Sequence, residues 1–120
     1  NVGLRFVRSD YDDEIWVDSE KFLNFPNWYY LFWFGYYWQA GSQWIFHSEF
    51  GWIYPIGKGS YDNWLYFPNH GWLWTSRYVY PYFYSHLDSV WYKYEKENSN
   101  VGWFTNILND EKYRFGRNLP

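Results

Sequence analysis

QWIFHSEFGWIYP (residues 43–55) and NWLYFPNHGWLWT (63–75) are two copies of one pattern. Each runs polar, Trp, aliphatic, aromatic, a short polar turn closed by Gly, and then Trp, aliphatic, aromatic. Trp44 and Trp52 are eight residues apart, as are Trp64 and Trp72, and the unit recurs after twenty residues. Within a unit, Trp44 and Phe46 alternate with Ile45 and His47, a period of two that marks a β-strand. Gly51 and Gly71 end the turns, where a residue able to adopt positive φ closes a short hairpin loop at little cost. Each copy therefore reads as a β-hairpin.

The pattern extends in both directions. Residues 80–84 and 90–94 flank the turn Ser85-His86-Leu87-Asp88. A further pair joins 101–105 to 111–115, and an opening pair places 28–34 against 36–38 around Gly35. No apolar period of 3.6 persists, and aromatic residues favour pleated, half-buried surfaces. We expect an all-β chain of antiparallel hairpin repeats with an aromatic core. A lone hairpin is marginal in water, so the hairpins must pack together, as a meander or small sandwich or as a short solenoid of stacked hairpins.

Outside the repeats the sequence divides into zones. Residues 1–8 (NVGLRFVR) alternate apolar and basic like a strand. Residues 9–21 carry Asp10, Asp12, Asp13, Glu14, Asp18 and Glu20, and so dense a like charge reads as a solvated linker. The module proper is expected over 22–120. With Asn1 where a translation product has Met, the strand-like start leads us to expect a piece of a longer chain.

Composition removes several functions. There is no cysteine, hence no disulfide, thiolate metal site or cysteine nucleophile. A formal net charge of −3 with scattered Lys and Arg argues against nucleic acid as a partner. The most apolar run, residues 28–38, is too short to span a bilayer as a helix. His47, His70 and His86 match no metal-binding spacing, and turn histidines are ordinarily just solvated. Glu49, Asp62 and Asp88, the only acids between 22 and 90, fall one per unit in turns or loops, which suggests turn chemistry rather than a carboxylate pair. Ser48 and Ser85 adjoin His47 and His86, but no nucleophile elbow surrounds them. We expect no enzyme activity, metal or cofactor of this chain alone.

The one functional signal is the ring content, 11 Trp, 15 Tyr and 11 Phe in 120 residues. Strands such as 64–67 are apolar on both faces, Trp64 and Tyr66 on one and Leu65 and Phe67 on the other. A small module cannot cover both, and large exposed apolar patches mark binding sites. Trp44, Trp52, Trp64 and Trp72 are expected to share a face, and to be core. The rings left for ligand are then Tyr54, Tyr66, Tyr80 and Tyr82, together with Trp74.

Two resemblances add context. NVGLRFVRS (1–9) resembles the final strand of formylglycine-generating-enzyme (sulfatase-modifying factor) domains, which close on Gly-Phe-Arg-Val-Val-Arg. Gly3, Leu4, Arg5, Phe6, Val7 and Arg8 follow that pattern, with Leu4 for its Phe and Phe6 for its first Val. The resemblance implies such a domain upstream, and none of its catalytic residues transfers, since its cysteines have no counterpart here. Residues 28–106, with FGYYW (34–38), FGWIYP (50–55), WLYFPNHGWLWTS (64–76), VYPYFYSH (79–86) and VGWFTN (101–106), resemble Trp-rich C-terminal modules of secreted or surface proteins of bacteria. A looser likeness is to the short aromatic repeats that bind choline or glucan on Gram-positive cell walls. Those repeats pair an aromatic hairpin with Gly-Trp, as Gly51-Trp52 and Gly71-Trp72 do, but their regular Thr-Gly-Trp spacing is missing. These resemblances imply an accessory module that engages a glycan or other surface component. The alternatives are a domain docked on its upstream neighbour and a fragment of an enzyme completed elsewhere.

Overall fold

The computed structural model describes residues 16, 18–58, 61–96 and 102–115. They form eleven antiparallel strands in a single sheet, and no helix occurs among them. The strands are β1 (Glu20–Lys21), β2 (Trp28–Leu31), β3 (Gly35–Trp38), β4 (Ile45–His47), β5 (Gly51–Lys58), β6 (Asp62–Phe67), β7 (Gly71–Thr75), β8 (Tyr82–Ser85), β9 (Val90–Glu95), β10 (Trp103–Asn106) and β11 (Lys112–Tyr113). Their spatial order is their chain order, so the fold is an uninterrupted meander. All five hairpins expected from sequence are present: β2–β3, β4–β5, β6–β7, β8–β9 and β10–β11.

The hairpin turns share one design. Phe34-Gly35, Phe50-Gly51 and His70-Gly71 each place a ring at the last turn position, followed by Gly at φ 112°, 80° and 119°. The turn closes through Phe34 N–H to Leu31 O and His70 N–H to Phe67 O, at 2.9 Å each. Ser89 and Asp110 hold the corresponding positive φ in the two later hairpins. The glycine lets the strand restart at once, and the ring before it tucks under the sheet.

Strand β5 is where the sheet turns back on itself. Its residues 51–53 pair with β4, whereas 54–58 pair with β6. Pro55 stands in that second half, facing inward. The bend brings the early strands against the late ones around Phe50, which is 1% exposed. The Phe50 ring lies 4.8–5.8 Å from those of Phe67, Phe83, Tyr94 and Phe104, and 5.7 Å from Phe34. Leu31, Ile45, Ile53, Leu65 and Leu73 complete the inner face, all fully buried.

Two expectations are corrected here. The inward positions of the repeat are the aliphatic ones. Trp44, Trp64 and Trp72 are half-buried and Trp52 is 42% exposed, all on the other face. The rule that large rings make the core loses to the rule that an indole N–H needs a partner. Secondly, the described part of segment 9–21 lies against the body. Trp16 is buried, packs on Phe34 and Tyr37 at 5.0 Å, and donates its Nε1–H to Asn63 Oδ1 at 3.2 Å. Glu20 and Lys21 pair with Tyr30 and Tyr29 of β2. Residues 1–8, the expected upstream strand, lie outside the described residues.

Candidate binding face

The outer face is built by the same two-residue period that builds the core. With Leu65, Leu73, Phe83 and Tyr92 turned inward, their neighbours must turn outward. Register then aligns those neighbours across the sheet. Trp28 faces Trp38, Trp38 faces Phe46, and Phe46 faces Trp52, giving one ladder over β2–β5. Ile56 faces Trp64, Trp64 faces Trp74, Trp74 faces Tyr84, and Tyr84 faces Trp91, giving a second over β5–β9. Tyr54, Tyr66 and Trp72 form a shorter row beside the second ladder.

Trp64, Trp74, Tyr84 and Trp91 line a shallow depression of about 330 Å³. From Trp64 to Trp91 it crosses three strand spacings, about 14 Å. The rings pack edge to face rather than coplanar: Tyr84–Trp91 at 5.3 Å and 62°, Trp74–Trp91 at 6.3 Å and 82°. Trp74 is further held by donating its Nε1–H to Asp62 Oδ1 at 2.7 Å. Ile56, Trp64, Trp72 and His86 line an adjoining depression of about 280 Å³. Towards β11 the face becomes polar: Lys112 sits 3.5 Å and Lys93 3.7 Å from the Glu95 carboxylate.

Of the ring residues singled out from sequence, Tyr54, Tyr66, Trp74 and Tyr82 lie on this outer face. Tyr80 does not. It packs inward, 5.7 Å from Phe83 and 6.1 Å from Phe34, and burial followed by the Glu49 charge pushes its hydroxyl well above the usual tyrosine range. It belongs to the 76–81 connection, where strand alternation does not apply. Trp64, Tyr84 and Trp91 were not among the candidates. Their places in the ladder follow from pairing register, which the repeat alone does not assign to a face.

The histidines and acids serve the fold. His47 is fully buried. Its Nδ1 accepts from the backbone N–H of Glu49 (3.1 Å) and Phe50 (3.3 Å), so Nε2 carries the proton and donates to Phe34 O at 2.7 Å. One ring thus ties two successive turns together. His70 meets Ser85 rather than Ser85 meeting His86: Nε2 is 2.7 Å from Ser85 Oγ and 3.7 Å from Asp88 Oδ1. A nucleophilic relay needs hydroxyl and carboxylate on opposite ring nitrogens, and here both approach the same one. Burial lowers the His70 pKa against the opposing pull of Asp88. Burial works to raise Glu49, but the Tyr94 hydroxyl (2.7 Å) and Lys96 ammonium (3.0 Å) outweigh it and hold the carboxyl below its ordinary range. Among the described residues no group of three or more His, Asp or Glu side chains converges to hold a metal ion. No described helix is long and apolar enough to cross a membrane.

No family model matches the chain, and comparison with curated proteins and with solved structures returned no match.

Proposed function

We propose that this is a non-catalytic binding module of a secreted or envelope-associated bacterial protein, engaging a glycan or another surface component through the rings of its outer face. The observation that carries the reading is the ladder Trp64–Trp74–Tyr84–Trp91, four half-buried rings over a depression of about 330 Å³. Indole and phenol rings offer apolar faces to the C–H side of a sugar while their N–H and O–H groups remain wet. The ladder's length suits an oligomer rather than a single sugar. Asp62, fixed beside Trp74, supplies an acceptor for a ligand hydroxyl.

The test is retention on insoluble polysaccharides, with Trp74→Ala and Trp91→Ala compared with the parent chain. Retention of the parent on at least one polymer is expected. Each variant should lose most of it while melting within a few degrees of the parent. Equal retention of both variants, or none by the parent on any polymer, overturns the glycan reading.

A second reading, docking on an upstream domain, draws on a different region. Phe22, Phe25, Trp28, Tyr36 and Ser48 line an apolar depression of about 330 Å³ at the β1 end of the sheet, and the neighbouring Leu23 is 95% exposed. A parent chain that ignores every polysaccharide, yet binds a separately produced upstream domain until Leu23→Asp and Phe25→Asp abolish it, favours docking.

A further inference from the structure

Among the described residues the most exposed rings lie not on the ladders but on the connections between strands; Phe25, 59% exposed, stands at the β1 end, and three others gather elsewhere. Tyr78 is 71% exposed, and Tyr61 and Phe32 are each 57% exposed. They come from three separate places: the turn after β2, the link before β6 and the connection between β7 and β8. The fold brings them around a single cation. The Arg77 guanidinium carbon is 5.2 Å from the centroid of Phe32, 5.4 Å from Tyr61 and 5.5 Å from Tyr78. Tyr61 and Tyr78 are themselves 5.6 Å apart, at 35°. Asp18 Oδ2 approaches Arg77 Nη1 at 3.9 Å, the outer limit of an ion pair.

Rings satisfy the flat faces of a guanidinium and leave its in-plane N–H fork for an oxyanion. A long-range Asp18 contact does not use that fork in bidentate fashion. Three rings more than half exposed, clustered on loops around a cation, also concentrate the residue types that dominate recognition surfaces. Because the whole chain is acidic, at −3, a polyanion gains nothing from its general field and must be held locally.

We propose that Arg77, Phe32, Tyr61 and Tyr78 form a site for an anionic sugar. A ring carboxylate or sulfate ester pairs with the guanidinium fork, and the sugar face lies on a tyrosine ring. Asp18 competes for Arg77 in the unbound protein. The site uses other elements than the outer face and does not rest on the reading given for that face.

Calorimetric titration of the full chain tests this with four probes: oligogalacturonate, a sulfated carrageenan oligosaccharide, a neutral cello-oligosaccharide and sodium sulfate. Binding of at least one anionic oligosaccharide is expected, weakened by added salt; which of the two binds names the oxyanion. Arg77→Gln should weaken it about ten- to hundred-fold, the worth of a charge-assisted bond. Arg77→Lys should not restore it, since an ammonium lacks the fork. Asp18→Asn should tighten it. Tyr78→Ala should weaken it without changing the melting temperature, which keeps the test valid if the Arg77 variants fold poorly. The proposal is overturned if no anionic oligosaccharide binds the Asp18→Asn variant, or if Arg77→Gln binds as well as the parent. It is equally overturned if the neutral probe or sodium sulfate alone binds as tightly as the acidic sugars.

Discussion

The two faces of this sheet are made from alternate residues of the same strands, yet they hold different chemistry. Inward stand Leu31, Ile45, Ile53, Leu65, Leu73, Phe67 and Phe83, all fully buried. Outward stand Trp38, Trp52, Trp64, Trp72, Trp74 and Trp91, half-buried or exposed. The difference teaches that polar handles, not ring size, sort the residues. Several rings with a polar atom that turn inward have a partner waiting for them. Tyr37 meets Ser19 at 2.7 Å, Tyr92 meets Asp88 at 2.6 Å, and Tyr94 bonds Glu49 and also accepts from Gly102 N–H at 2.8 Å. Trp16 has Asn63 and His47 has three backbone groups. An unpaired buried N–H or O–H costs about 1–3 kcal/mol, so rings without a partner are better placed outside.

The largest expected effect lies at the centre of the inner face. Phe50→Ala removes the ring on which both halves of the bent sheet meet, and should cost about 3–5 kcal/mol. In a chain of this size that lowers the melting temperature by more than about 10 °C. A loss under about 1 kcal/mol, measured by urea titration, would break the claim that the inner face is the core.

Acid should attack the inner face next. His70 has a pKa below its ordinary 6.5, so the unfolded chain takes up its proton first and stability falls as pH drops from 6.5 towards the folded value. Glu49 and Asp88 are also lowered, so their contributions hold above the ordinary 4.5 and 3.8 and are lost as pH falls through their lower folded values. All three act in one direction. The melting temperature should be flat near neutrality, decline gently below pH 6.5 and fall steeply below about 4.5. His70→Gln should shrink the first decline and leave the second, and a parent curve that rises on acidification would contradict the assignment.

The smallest effect belongs to the outer face. Trp52→Ala and Trp72→Ala, made separately, should each cost under about 1 kcal/mol, as at ordinary surface positions. Trp72 should cost the more of the two, because it is half-buried against Tyr66 at 5.3 Å whereas Trp52 is 42% exposed. A loss near that of Phe50→Ala at either position would show that the outer face is a second core.

Much of the fold was legible because its causes are local. Alternation over two residues and a Gly after each turn are written into 44–47, 51–54, 64–67 and 71–74. The pairings within each hairpin therefore follow from the local pattern, whereas the pairing of one hairpin with the next, as a meander rather than a stacked solenoid, is seen only in the structure. The sequence could not say which of two alternating apolar sets turns inward, because a period of two is symmetric between faces. That choice fell to the bend at β5, which closes one side around Phe50. The partners that make buried rings tolerable are also distant in sequence: Trp16 with Asn63, Tyr94 with Glu49, and His70 with Ser85. The ring triangle around Arg77 draws Phe32, Tyr61 and Tyr78 from three connections that no local pattern links. Strand content and hairpin boundaries were thus determined by the chain itself, through steric and turn preferences of adjacent residues. The inner face, the outer ladders and the Arg77 cluster were decided only by tertiary structure, because burial and polar satisfaction depend on which distant segments the bend brings together.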